Sequence, residues 1–202
     1  MRRNVLFHSL LILLIGTLSS STSLSWGEET AASGKLFPFV LTYEPTDSIT
    51  NISEWLDHPA GKHGFIRAEN GHFVTDAGRI RLWATNLCFE ACFPTKKEAE
   101  RLARRLASLG INCVRMHHMD NHHIWGKSPN KLTIDPEMLD KLDYLIYQLK
   151  LHGIYTNINL HVSRQFGPAE GFPAVEGLPN YDKGIDNFEP RMIEYQKKYA
   201  RD

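Results

Sequence analysis

The chain has 202 residues, 42% of them hydrophobic and 23% charged, with 23 basic and 23 acidic side chains. This is ordinary globular composition, with neither the low hydrophobicity of a disordered chain nor the basic clustering of a nucleic-acid binder. Lys96, Lys97, Arg101, Arg104 and Arg105 share one helix with Glu98 and Glu100, which reads as a solvated face.

The first 25 residues stand apart. Arg2 and Arg3 precede the apolar run Val5–Leu18, and Ser23-Leu24-Ser25 fits a small-x-small cleavage site before Trp26. This pattern predicts a cleaved secretory signal peptide over residues 1–25 and a secreted or periplasmic location. The run of 14 residues is short of the ~20 that span a bilayer, so no stable membrane anchor is expected after cleavage. Removing that segment leaves 21 basic against 23 acidic residues, a net charge of −2. Residues 26–64 carry Pro38, Pro45 and Pro59 and few periodic runs. They read as an N-terminal extension in which Leu36–Leu41 is a candidate edge strand. Asn51-Ile52-Ser53 is a glycosylation sequon, relevant only in a host that glycosylates exported proteins.

From Phe65 the pattern becomes regular. Phe65–Glu69 and His72–Thr75 flank Asn70-Gly71, a two-residue hairpin signal. Asp76-Ala77-Gly78 turns the chain into a predicted strand over Arg79–Leu87. Thr95 and Glu98 form a capping box ahead of an apolar stripe at Ala99, Leu102, Ala103, Leu106 and Leu109, and Gly110 is a left-handed C-cap. Ile111–His117 is the second strand. Asp135 caps a helix with Pro136 at its first position and Leu139, Leu142, Leu145, Ile146 and Leu149 on its buried face, ending at Gly153.

The third strand, Ile154–Val162, alternates. Ile154, Thr156, Ile158, Leu160 and Val162 point one way, and Tyr155, Asn157, Asn159 and His161 the other. A long Gly/Pro-containing loop follows over Ser163–Glu189, and Pro190 opens a last helix. The order βαβαβα with short connections predicts a parallel sheet.

Polar groups gather at the ends of these strands, where parallel α/β sheets bind ligands. Arg115 lies among apolar neighbours and needs carboxylates or hydroxyls as partners. It either orients active-site groups or forms a structural salt bridge. His117, His118, Asp120, His122 and His123 are substrate contacts, loop residues, or metal ligands. Residues 117 and 118 of a strand point to opposite faces, so both reach one ion only across a bulge. Trp125 is a candidate stacking surface, with loop packing as the alternative. Asn159 and His161 share the inward face, where His161 is either a binding residue or a satisfied core histidine. Trp83 and Asn86 on the first strand are further candidates. Cys88 and Cys92 are a candidate disulfide in an exported chain, with Cys113 a buried thiol, and the absence of Cys-x-x-Cys spacing argues against a cysteine metal site.

Three segments carry a resemblance. Arg-Ile-Arg-Leu-Trp-Ala-Thr-Asn-Leu at 79–87, Leu-Gly-Ile-Asn-Cys-Val-Arg-Met-His-His-Met-Asp at 109–120 and His-Gly-Ile-Tyr-Thr-Asn-Ile-Asn-Leu-His at 152–161 resemble the opening of a cellulase-like glycoside hydrolase of family 5 and its clan A relatives. The likeness covers about residues 65–165. It implies a (β/α)₈ TIM barrel, of which residues 65–202 hold about the first three βα units, preceded by a β-hairpin. It further implies retaining hydrolysis of a β-glycan, with a polysaccharide or oligosaccharide as the partner and no cofactor. By the same resemblance Arg115 supports the catalytic site, His161 lines the substrate cleft, and Gly110 and Asn112 set the turn into the second strand.

The family's acid/base glutamate follows an asparagine at the end of strand four, and its nucleophile ends strand seven. No Asn-Glu pair occurs in this chain. A truncated chain without the catalytic glutamates is therefore expected. The alternative is a non-catalytic exported carbohydrate-binding or surface protein on a degenerate barrel, and a third reading is a metal hydrolase built on the histidine cluster.

Overall fold

A computed structural model describes residues 43–45, 48–174 and 176–202. The signal peptide, its cleavage site and the candidate strand Leu36–Leu41 lie outside the described residues.

The hairpin forms where expected. Strand β1 (Arg67–Glu69) pairs antiparallel with β2 (His72–Thr75), Glu69 opposite His72. Asn70 and Gly71 make the turn at φ 50° and 74°, the positive values that match the twist of the flanking strands. A third short strand, β3 (Gly78–Arg79), adds to β2.

The predicted strand Arg79–Leu87 is in fact two. Gly78–Arg79 belongs to the antiparallel sheet, and β4 (Ala84–Cys88) belongs to a second, parallel one. Asn112 explains the break. Its side-chain amide donates to Arg81 O at 2.8 Å, and its Oδ1 accepts from Trp83 N at 2.7 Å. Backbone groups that a continuous strand would pair are satisfied by a side chain instead.

The parallel sheet has the order β4–β5–β6, with β5 Cys113–His117 and β6 Tyr155–Ile158. Asn86, Arg115 and Asn157 sit side by side across it. Helix α1 (Lys96–Ser108) links β4 to β5; the four-residue α2 (His122–Trp125) and then α3 (Pro136–Leu151) lead from β5 to β6. The Thr95–Glu98 capping box and the Asp135 cap with Pro136 form as the sequence predicts. Both helices cover one face of the sheet. Ala99, Ala103 and Leu106 of α1 and Leu142, Leu145 and Leu149 of α3 close over Val114, Met116 and Ile154. Leu109 is exposed because the helix has already ended.

The third strand is shorter than Ile154–Val162, since ladder pairing stops at Ile158. Ile158 and Leu160, on the apolar side of the alternation, are exposed: no helix among the described residues covers that edge. The chain then runs through three 3₁₀ turns, Pro168–Glu170, Asn180–Asp182 and Ile185–Asn187, to helix α4 (Pro190–Arg201). Tyr199 of α4 joins the main core, while Met192 joins a small satellite core with Phe166 and Phe172.

The architecture is thus mixed α/β, two small sheets of three strands each, and the described residues form no closed barrel. Among them, no helix is long and apolar enough to cross a membrane.

Gly153 shows how tightly the helix-to-strand turn is built. At φ +78° a Cβ there would lie 2.8 Å from the Asp57 carbonyl oxygen and 3.1 Å from Leu56 Cβ, whereas at Gly171 (φ +83°) it would meet nothing within 4 Å. Gly171→Ala is expected to cost about 1 kcal/mol from backbone strain alone, and Gly153→Ala about 2–3 kcal/mol because a collision with main chain is added. Urea unfolding of the two variants checks this; equal losses would contradict it.

Candidate functional site

The face of the parallel sheet turned away from the helices carries Ala84 and Asn86 on β4, Cys113, Arg115 and His117 on β5, and Tyr155 and Asn157 on β6. It is open, with Asn86 and Asn157 exposed and Arg115 half-buried. A hollow of about 590 Å³ lies over it, lined by Leu82, Ala84, Thr85, Asn86, Cys113, Arg115 and Asn157. The Arg115 guanidinium donates to Asn159 Oδ1. Among the described residues no carboxylate forms an ion pair with it, so much of its five-donor fork stays free for a ligand.

At the carboxyl end of β5 the alternation breaks. His118 has φ +58°, and this left-handed turn brings its ring back beside His117, with centroids 4.2 Å apart and planes tilted by 47°. The sequence places these rings on opposite faces, and the backbone at His118 overrides that. Phe89 follows β4, also at positive φ (55°), and stacks on His118 at 4.5 Å with planes 20° apart. Tyr181, φ 63°, meets His118 edge-on at 6.3 Å. Cys88 Sγ lies 3.8 Å from His117 Nδ1. Burial, then the electrostatic influence of His118, Arg115 and Lys183, lowers the His117 imidazole from its ordinary value, opposed by Asp120. An imidazole in its neutral form donates through one nitrogen and accepts through the other.

Below this surface lies a buried carboxylate. Asp120 is wholly enclosed and accepts hydrogen bonds from Val162 N at 2.8 Å, Ser163 N at 3.0 Å, Ser163 Oγ at 3.0 Å and Arg164 N at 2.9 Å. Burial pushes this carboxyl up, but the His161 ring and the amides of Val162, Arg164 and Ser163 outweigh it and hold it at about 2. The loop after β5 is in this way tied to the chain leaving β6.

His161 is part of this anchor. Its Nδ1 lies 3.5 Å from Asp120 Oδ2 and its Nε2 2.8 Å from Asp186 Oδ2, although neither nitrogen has hydrogen-bond geometry. It does not line the hollow over Arg115. Strand β6 ends at Ile158; beyond it Asn159 still meets Arg115, while the His161 ring faces Asp120 and Asp186.

Trp125 is a second correction. It is 3% exposed, so it presents no surface for stacking. Its Nε1 donates to Asp120 O at 3.2 Å, and its ring is covered by the Arg164 guanidinium at 4.6 Å and by Tyr199 at 5.1 Å. Loop packing, the alternative, is what the fold uses it for. Arg164 itself is 2% exposed. It stacks against Phe166 as well and donates to Tyr195 O at 3.1 Å and to Lys131 O. Burial lowers it to about 10, opposed by Tyr199 and Asp120.

The structure therefore brings Arg115 to Asn159 and His117 to His118, and takes His161 and Trp125 elsewhere. Sequence reasoning missed Phe89, Tyr181 and Arg164. A residue directly after a strand end was the only signal for Phe89, and nothing local marked Tyr181. His122 is exposed, and His123 lies 4.0 Å from Glu90. All three cysteines carry free thiols, so the candidate Cys88–Cys92 bond is not formed, and burial pushes Cys92 up to about 12. Among the described residues, no three His, Cys, Asp or Glu side chains are placed to hold a metal.

A larger hollow of about 700 Å³ is lined by Phe65, Ile66, Phe73, Leu82, Cys113, Tyr155 and Asn157; Leu82, Cys113 and Asn157 also line the hollow over Arg115, so the two adjoin. It is mostly apolar and faces the hairpin, with Phe65 and Phe73 exposed on its rim. Comparison with protein families, with curated proteins and with solved structures found no match.

Because the folded Asp120 carboxyl lies below its ordinary value of 3.8, its stabilisation is complete above pH ~4 and is lost as pH falls towards 2. The displacement corresponds to about 2 kcal/mol. Asp120→Asn should cost at least that at pH 7 and should flatten the stability profile between pH 4 and 2. Denaturant titrations at several pH values check both; an unchanged acid limb in the variant would count against the assignment.

Proposed function

We propose that β4–β5–β6 with α1 and α3 is the opening of a (β/α)₈ barrel of the glycoside hydrolase family 5 type. On this reading the chain belongs to an exported enzyme that hydrolyses O-glycosidic bonds of a β-glycan. The observation that carries the reading is the row Asn86–Arg115–Asn157, in register across three parallel strands and turned away from the helices, with Asn159 holding the guanidinium. Carboxamides and a guanidinium offer the dense donors and acceptors that sugar hydroxyls or an active-site carboxylate require, without the stored charge of a phosphate or metal site.

Retaining hydrolysis needs two carboxyls about 5–5.5 Å apart, one attacking the anomeric carbon and one first protonating the leaving oxygen and then activating water. The buried carboxylates here serve the fold. Asp120 binds three backbone amides, Asp182 Oδ2 accepts from Phe166 N at 2.6 Å, and Asp186 Oδ1 accepts from Gly184 N at 2.8 Å. In this reading the acid/base and the nucleophile come from residues other than those described. Arg115, Asn159 and His117 position substrate and carboxylates, and the reaction requires neither metal nor organic cofactor.

The purified chain is expected to bind soluble β-glycan without cleaving it. Native gels containing carboxymethylcellulose or β-mannan should retard it, and Arg115→Ala should weaken retardation about 10-fold, the loss of one charged hydrogen-bonding group. No retardation by either polymer would refute the reading. Release of reducing sugar that disappears in Arg115→Ala would refute the positioning-only role.

A further inference from the structure

The hollow that faces the hairpin differs in kind from the one over Arg115. Its walls are Phe65 and Ile66 ahead of β1, Phe73 of β2, Leu82 ahead of β4, Ile146 of α3 and Ile154 just before β6. At about 700 Å³ it has the size of a small-molecule pocket, and such pockets are largely apolar with a few polar groups that set orientation. Phe65 is 89% and Phe73 53% exposed. A contiguous apolar wall is thus left facing water, which marks a binding surface.

The charge on this wall has one sign. Among the described residues its charged lining is Lys62 and Lys150, and no carboxylate lines it. The backbone brings the two lysines to one rim. Lys62 N closes a turn on Pro59 O at 3.0 Å, and Ala60 N of that turn donates to Lys150 O at 2.8 Å. Among the described residues neither ammonium has an ion pair or a hydrogen bond. The carbonyl end of α3 lies beside Lys150 and repels anions, but a helix end carries only about half an elementary charge. Two full positive charges outweigh it, so the rim favours an anion.

We propose that this hollow binds a fatty-acid anion, with its carboxylate on Lys62 and Lys150 and its alkyl chain along Phe65, Ile66, Phe73 and Leu82. The lining selects that chemistry. A sugar would set hydroxyls without partners against apolar walls, and a neutral hydrocarbon would leave the ammonium pair unused. One charged end on an unbroken alkyl chain matches both parts. The methylene stems of the lysines extend the apolar wall while their heads stay in water. This site stands apart from the carbohydrate reading and does not depend on it.

Calorimetric titration of the full chain with dodecanoate, below its micelle concentration and in low-salt buffer, tests this together with methyl NMR. One-to-one binding is expected, with shifts at the methyl groups of Ile66, Ile146 and Ile154. Decanoate should bind about 5- to 15-fold more weakly, the loss of two buried methylenes. The double variant Lys62→Gln/Lys150→Gln should weaken dodecanoate about 3- to 10-fold. Both lysines are exposed, so Tm should hardly move. Phe65→Ser, at a ring already in water, should weaken binding about 3-fold or more without loss of stability. Absence of one-to-one binding, equal affinity in the double glutamine variant, or shifts away from the three isoleucines overturns the proposal. Weakening by Arg115→Ala with the double glutamine variant unaffected also overturns it, because the carboxylate would then lie in the adjoining hollow.

Discussion

The arrangement at the carboxyl edge of the parallel sheet depends on the Asp120 carboxylate, enclosed in the protein and bound by the amides of Val162, Ser163 and Arg164. A buried charge is costly unless it is met by donors, and here the donors are main-chain groups some forty residues downstream. This fixes the path of the chain leaving β6. Arg164 then sits against Trp125, Phe166 and Tyr199, so α4 closes on the rest of the core. One carboxylate thus links the loop after β5, the segment after β6 and the last helix. His161, Asp186 and the loop bearing Tyr181 extend the same anchor.

With that edge fixed, the molecule can hold polar and aromatic groups in positions that local preferences oppose. Arg115 stands on an open face with a neutral partner, and His118 turns against strand alternation to meet His117 and Phe89. The guanidinium and carboxamides offer hydrogen bonds, and at the strand ends Phe89, His118 and Tyr181 pack their rings on one another. Of the buried carboxylates below, Asp120, Asp182 and Asp186 each accept from backbone amides, and Asp186 also faces His161.

What was legible in the sequence is what is decided locally. Asn70-Gly71 specifies its turn through two positive φ values, Thr95 and Glu98 cap each other within one helical turn, and Asp135-Pro136 starts α3, all by contacts between residues close along the chain. Side-chain parity on β5 correctly placed Arg115 opposite Val114 and Met116, because that strand is paired on both sides. Prediction failed where distant groups decide. Asn112 divides one apparent strand into two by binding Arg81 and Trp83, and Trp125 is covered by Arg164. His161 follows a strand whose pairing has already stopped, so two carboxylates choose its direction. The left-handed turns at Phe89, His118 and Tyr181 have no signature in residue type, since such positions favour glycine or asparagine.

Under the proposed function, ligand binds around Arg115 on the open face of the parallel sheet. Heteronuclear NMR of the full chain titrated with cellohexaose and mannohexaose tests it most directly. Expected are shift changes at the Arg115 Nε–H and the side-chain amides of Asn86 and Asn159, with little change at Phe65, Ile66 and Phe73. Perturbations confined to those last three residues, or scattered without reference to the strand ends, would contradict it.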